Sequence, residues 1–291
     1  MRLFSDRLFE AVKGKRSVVV VGLDPRARHL PAELLPADPS DVDVARAYLQ
    51  FNCGIIDATA EFAAAVKPQV AFYEELGPSG LATFAATCQY AAKKGLVVIA
   101  DAKRGDIGST AVAYADAYLG GPFSADAITV NPYLGGDSIQ PFIDKCSSGC
   151  GLFVLVRTSN RGAKDLQDLT TPSGRLFEVV GDMVGALGAQ HIGESGYSSV
   201  GAVVGATWPG ELSELRRRLP SVPFLVPGYG AQGGTAEDVR GAFDGNGLGA
   251  VVNSSRGIIF AYREKKTADW KSASADAAKV MRDEFRALLG W

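Results

Sequence analysis

Asp101-Ala102-Lys103-Arg104-Gly105-Asp106 sets two carboxylates and one ammonium close together in the chain. If a strand runs through Lys103, Asp101 and Lys103 point to the same side, because side chains alternate with a period of two. Asp106 follows a turn, at the start of the next helix. A lysine held among carboxylates stays protonated and can serve as a proton donor. By itself, D-x-K-x-x-D also fits a solvated loop. A position at the end of a strand favours the catalytic reading.

Three further stretches carry chemistry. Pro227-Gly228-Tyr229-Gly230-Ala231-Gln232-Gly233-Gly234 spells G-x-G-x-x-G between a strand and a helix. A dinucleotide site would need an acidic residue ~20 positions on, where this chain has Asn253-Ser254-Ser255-Arg256. A monophosphate loop fits better: glycine backbone N–H groups face the anion and Arg256 pairs with it. A plain turn is the alternative. In Lys67-Pro68-Gln69, proline keeps Lys67 extended, aimed either into a site or out over a rim. The polar stretch from Arg157 to Thr171, with Thr158-Ser159-Asn160 at its start, suits a mobile lid or an ordinary surface loop.

The elements that must position these residues are short β-branched runs between helical stretches. The runs are 17–24, 63–67, 96–101, 125–130, 152–156, 201–204, 223–226 and 249–252. They are continuously apolar, as strands buried on both faces of a parallel sheet are. The alanine-rich second run could instead end the preceding helix. Helical patterns cover Asp41 to Glu61 and Phe72 to Lys94, and Thr235 caps a third helix before Glu237 and Asp238. About eight βα units with no linker predict a single-domain (β/α)8 TIM barrel over residues 1–291, with a C-terminal helical extension at about 263–291. An open doubly wound sheet is the structural alternative. Strand ends then offer Asp24, Lys67, Asp101 with Lys103, Asn131, Thr158 to Asn160, a glycine loop and Ser254 to Arg256.

Composition narrows the classes. Thirty basic against 32 acidic residues leave a net charge of −2, which gives no general attraction to nucleic acid or an acidic membrane. No apolar run reaches the ~20 residues of a membrane span. The N-terminus lacks the pattern of a signal peptide, so the expected location is cytoplasmic. Cys53, Cys88, Cys146 and Cys150 are too scattered for a disulfide framework, and His29 and His191 build no histidine metal motif. The 34 glycines exceed the usual share and call for many tight turns or close backbone approaches.

From Gly22-Leu23-Asp24 to Arg256, the motifs together resemble the orotidine 5'-phosphate decarboxylase family, in its longer bacterial type. Lys67-Pro68-Gln69, Asp101 to Thr110, Thr158-Ser159-Asn160 and Pro227 to Gly234 follow in that family's order. The resemblance implies decarboxylation of orotidine 5'-monophosphate to UMP, the last step of pyrimidine synthesis, without metal or organic cofactor. It also implies a homodimer with shared active sites. Lys67, Asp101, Lys103 and Asp106 would form the charged network, with Lys103 protonating C6. Asp24 would bind the ribose, and Ser159 the pyrimidine. Gln232, Gly233 and Arg256 would take the phosphate end. Asp106 and Thr110 would be donated to the partner's site. Spacing around the strand-five loop and after Arg256 departs from the shorter members, which leaves the lid and residues 263–291 without a carried-over role. A Mg2+-dependent decarboxylase or aldolase of keto-sugar phosphates, a Schiff-base aldolase and a non-catalytic nucleotide-binding barrel are the rival readings.

Overall fold

Val18, Val19, Val20 and Val21 are all fully buried, which a strand achieves only when covered on both faces. The computed structural model, which describes residues 2–230 and 234–291, makes this first run β1 (Val19–Leu23) of a closed parallel barrel. β2 (Ala65–Pro68), β3 (Val97–Arg104), β4 (Ala127–Val130), β5 (Gly151–Arg157), β6 (Val200–Val204), β7 (Phe224–Val226) and β8 (Ala250–Ser254) follow in order round the ring. Pairing of Val19 with Val252 closes the ring, and pairing of Val20 with Ala65 continues it on the other side. The chain is thus a single-domain (β/α)8 barrel, and the open-sheet alternative is excluded.

Each predicted run overlaps one barrel strand. The alanine run divides: Ala63 and Ala64 precede the strand, and Ala65–Pro68 pairs with both β1 and β3. Four strands extend beyond the apolar signal at their C-terminal ends: β2 runs on to Pro68, β3 to Arg104, β5 to Arg157 and β8 to Ser254.

Helix α1 (Phe4–Lys15) closes the lower end of the barrel, where the Phe4 ring meets Phe153 edge-on at 5.9 Å. α2 (Asp41–Thr59) starts at a Ser40–Asp43 capping box and ends before Glu61. The stretch predicted as one helix from Phe72 to Lys94 is two pieces, a turn at Ala71–Glu74 and α3 (Gly77–Lys93). Gly77, at φ +59°, and Pro78, without an N–H, break it. α4 (Gly108–Tyr118), α5 (Gly136–Ile143), α6 (Leu176–Gly188) and α7 (Pro209–Arg218) complete most of the outer ring. α8 (Ala236–Val239) is capped by Thr235 as expected, and α9 (Arg256–Ile259) follows β8. α10 (Trp270–Leu289) wraps back over α2, with Trp270 seated 5.1 Å from Phe51 and against Gly54.

The stretch between Arg157 and Thr171 is folded, with helical turns at Arg161–Ala163 and Lys164–Gln167 before a small hairpin of Thr170–Thr171 with Gly174–Arg175. Beside the backbone bonds of these turns, Thr158 is tied to Asn160 and Gln167 by side-chain hydrogen bonds that no periodicity reveals. Among the described residues no helix is long and apolar enough to cross a membrane. Among the described residues the four cysteines are free, and no group of three or more His, Cys, Asp or Glu could hold a metal.

Candidate active site

The C-terminal ends of the strands open into one cavity of about 530 Å3. Its wall carries Asp24 beyond β1, Lys67 of β2, Asp101 and Lys103 of β3, Ser159 beyond β5, and Ser255 with Arg256 beyond β8. Gly22 makes room for this wall. A Cβ there would fall 1.8 Å from Ser255 Oγ, so β1 and the chain after β8 approach this closely only because the residue is glycine.

Asp101 is the hub. Lys67 Nζ donates to its Oδ2 at 2.5 Å, Lys103 Nζ donates to its Oδ1, and Thr129 Oγ1 donates to Oδ1 at 3.1 Å. The side chains of Lys67 and Asp101 are only 5% and 10% exposed, whereas that of Lys103 is 45% exposed to the cavity. Lys67 therefore does not reach out over a rim; proline keeps it extended in β2 and the carboxylate draws it inward. Burial alone would push the Asp101 carboxyl up. The two ammonium groups outweigh that and hold it well below the usual carboxylate range. Burial alone would push the Lys67 ammonium down, but Asp101 and Asp24 reverse the effect and hold it above its usual value.

Strand alternation does not explain how Lys103 arrives beside Asp101. Lys103 has φ +48°, a left-handed conformation, and the β3–β4 register shifts between Ala100 and Arg104. Such a backbone costs about 1–3 kcal/mol for a residue with a Cβ. The Lys103 N–H donates to Thr129 Oγ1 at 2.9 Å, so one hydroxyl fixes both the strained backbone and the Asp101 carboxylate.

The other end of the cavity is built from the loops. Gly228 and Gly230 have φ of +98° and +69°, and the Tyr229–Gly234 bridge closes the neck of the glycine loop. Gln232 and Gly233, predicted for the phosphate end, lie outside the described residues. Arg256 opens α9 at the cavity wall. Asp24 Oδ1 and Asn253 Oδ1 are buried and have no hydrogen-bond partner among the described residues. Both line the cavity, so a ligand hydroxyl or N–H would satisfy them.

The structure thus brings Asp24, Lys67, Asp101, Lys103, Ser159 and Arg256 to one cavity. Asp106 and Thr110 are not part of its wall within a single chain, and the Asp106 carboxylate accepts the Ile107 N–H at 2.8 Å. Sequence reasoning missed Thr129, Asn253 and Arg157. It took Asn131 as the polar residue offered by strand four, and the hub uses Thr129 two positions earlier. Threonine in a β-branched run gives no polar signal. Arg157 reads as the first lid residue but is wholly buried, held by Asp168 at 2.7 Å and Glu211 at 2.6 Å and stacked 4.3 Å from Trp208. It anchors the turn that carries Ser159. Gln167 clasps the same turn through Thr158, at 3.0 Å to its N–H and 2.8 Å to its hydroxyl.

The chain matches the profile described as the orotidine 5'-phosphate decarboxylase / HUMPS family over residues 17–270. An orotidine 5'-phosphate decarboxylase of Rhodopirellula baltica is 46% identical across 98% of this chain and all of its own length. One from Clostridium perfringens is 44% identical, with 99% of each chain covered. Among solved structures, the Leishmania donovani OMP decarboxylase superposes with a TM-score of 0.79 at 35% identity, covering 99% of both chains. A Streptomyces avermitilis structure gives 0.84 at 37% identity, covering 100% of this chain and 97% of the other.

Proposed function

Because the chain belongs to the orotidine 5'-phosphate decarboxylase family and shares its reaction, conversion of orotidine 5'-monophosphate to UMP and CO2 in pyrimidine biosynthesis, we propose that Lys103 is the proton donor of a metal-free Lys/Asp network. The bond between C6 and the carboxylate carbon breaks, and its electron pair stays on C6 as CO2 leaves. The C6 carbanion has no delocalising sink, so fixed positive charge must stabilise it. Lys103 Nζ supplies that charge and then the proton. The observation that carries this reading is the hub itself: Asp101 grips a buried lysine with one oxygen and a cavity-facing lysine with the other. Lys67 balances the buried carboxylate, while Asp101 faces the departing carboxylate and raises the energy of the ground state.

The remaining roles follow the chemistry of the wall. Asp24 Oδ1, buried with no hydrogen-bond partner among the described residues, suits a ribose hydroxyl. Ser159 contacts the pyrimidine, and Arg256 with the glycine loop, including Gln232 and Gly233, takes the phosphate. Phosphate binding is remote from the bond that breaks, and its energy holds the ring in the reactive orientation. Three cations and two carboxylates on the wall suit a substrate bearing a carboxylate and a phosphate.

We further read the protein as a homodimer in which Asp106 and Thr110 complete the partner's site. Ile107 and Val112 beside them, and Tyr133 and Leu134 beyond β4, are large apolar side chains left exposed. Large apolar side chains left exposed next to Asp106 and Thr110 are what a covered interface would bury.

The direct test is the fall in orotidine 5'-monophosphate absorbance with purified protein in EDTA and no added metal. Turnover is expected. Loss of activity that Mg2+ restores would favour the keto-sugar phosphate reading, and trapping by borohydride would favour the Schiff base.

A further inference from the structure

The C-terminal helix reaches the active-site cavity through one side chain. Tyr229 stands in the neck of the glycine loop, where the Gly230 N–H donates to the Gly234 carbonyl at 2.8 Å and the strand-like bridge joins Tyr229 to Gly234. One side of Tyr229 lines the active-site cavity, and the other lines a shallow groove against α10. Its hydroxyl donates to Glu284 Oε2 of α10, and its ring lies 5.4 Å from the buried ring of Phe285. Burial and the Glu284 carboxylate both push the phenol up, so it remains a donor at any physiological pH. α10 also packs on α9, which begins with Arg256, and on α8, which follows the glycine loop. One helix therefore braces both halves of the phosphate end.

We infer that Tyr229 and Glu284 are positioning residues for the substrate phosphate, and that α10 sets the phosphate site through this hydrogen bond. Neither group need touch the phosphate. Freed from Glu284, the Tyr229 neck gains rotational freedom, and the loop that it closes is held less firmly against the Arg256 side of the cavity. The inference rests on the assignment of the glycine loop and Arg256 to the phosphate.

The experiment compares orotidine 5'-monophosphate with orotidine, which lacks the phosphate, on Tyr229→Phe, Glu284→Ala and Glu284→Gln. Tyr229→Phe and Glu284→Ala should each lower kcat/KM for the nucleotide by roughly tenfold, mostly through KM, the size of one charge-assisted hydrogen bond. Glu284→Gln still accepts from the phenol and should keep most of the parent value. Orotidine should be turned over with unchanged kcat/KM in all three. The double variant Tyr229→Phe with Glu284→Ala should lose no more than either alone, since both remove the same bond. A parallel loss on both substrates would mark a general structural role and overturn the inference, as would an unchanged nucleotide KM. Arg256→Ala run alongside separates the two readings. If it spares orotidine while Tyr229→Phe affects neither substrate, the brace alone fails. If it hits both substrates equally, the phosphate end fails and the brace with it.

Discussion

The Thr129 hydroxyl accepts the backbone N–H of Lys103 at 2.9 Å, and this single bond holds a lysine in a left-handed conformation at the end of a strand. The same oxygen donates to Asp101. Backbone strain at Lys103 and carboxylate position at Asp101 are therefore coupled through one side chain at the cavity wall.

Replacing Thr129 with valine keeps the shape and removes the hydroxyl. The Lys103 N–H is then left unpaired, at a cost of about 1–3 kcal/mol. Thr129→Val should lower kcat by about tenfold or more while UMP binds nearly as before. Steady-state kinetics and a UMP titration check this, and an unchanged kcat would show that the hydroxyl is dispensable.

Lys103→Ala should remove both the charge beside C6 and the proton. A loss in kcat of at least ~10²–10⁴-fold is expected for a missing acid. Nucleotide affinity should change far less, because ribose and phosphate contacts remain. Substantial residual turnover would sink the proton-donor role.

The ion pair of Lys67 with Asp101 gives a pH dependence whose sign is set by the two shifts. Asp101 is held below its unfolded value of ~3.9, so its contribution is complete above that pH and is lost as pH falls through the native value. Lys67 is held above its unfolded value of ~10.4, so its contribution is complete below that pH and fades as pH rises through the native value. The pair is intact from roughly pH 4 to pH 10. Asp101→Asn should flatten the acid limb of stability below about pH 4. At neutral pH it should cost about 3–5 kcal/mol, because a buried ammonium loses its partner. Urea unfolding from pH 2 to pH 8 measures both, and an acid limb as steep as the parent's would reject the assignment.

Arg256→Ala should raise KM for orotidine 5'-monophosphate by about 10- to 150-fold, the range of ~1.5–3 kcal/mol for hydrogen bonds to a charged group. An unchanged KM would reject the phosphate role.

Mixing two inactive variants tests the shared site. Lys103→Ala and Asp106→Ala subunits, unfolded and refolded together, should regain activity, because one of the two sites in each hybrid pairs an intact Lys103 with an intact Asp106. Failure to regain activity, with hybrids demonstrated by mass spectrometry, would argue that each chain completes its own site.

Much of this protein is local in the sequence. Strands covered on both faces must be apolar throughout, so eight such runs mark the barrel before any coordinate is known. Asp24, Lys67, Asp101, Lys103 and Arg256 are legible because polar groups at the ends of apolar runs have few structural reasons to be there. The tertiary structure decided what depends on neighbours distant in the chain. That Lys67 turns inward follows from a carboxylate on the next strand, and that Arg157 is a buried anchor follows from Asp168 and Glu211. Thr129 joined the hub because the β3–β4 register that matches Ala100 with Ile128 sets it beside Asp101, and pairing between two strands is not written in either one. The link from Glu284 to Tyr229 spans 55 residues of chain, and only packing of α10 against the barrel brings the two together.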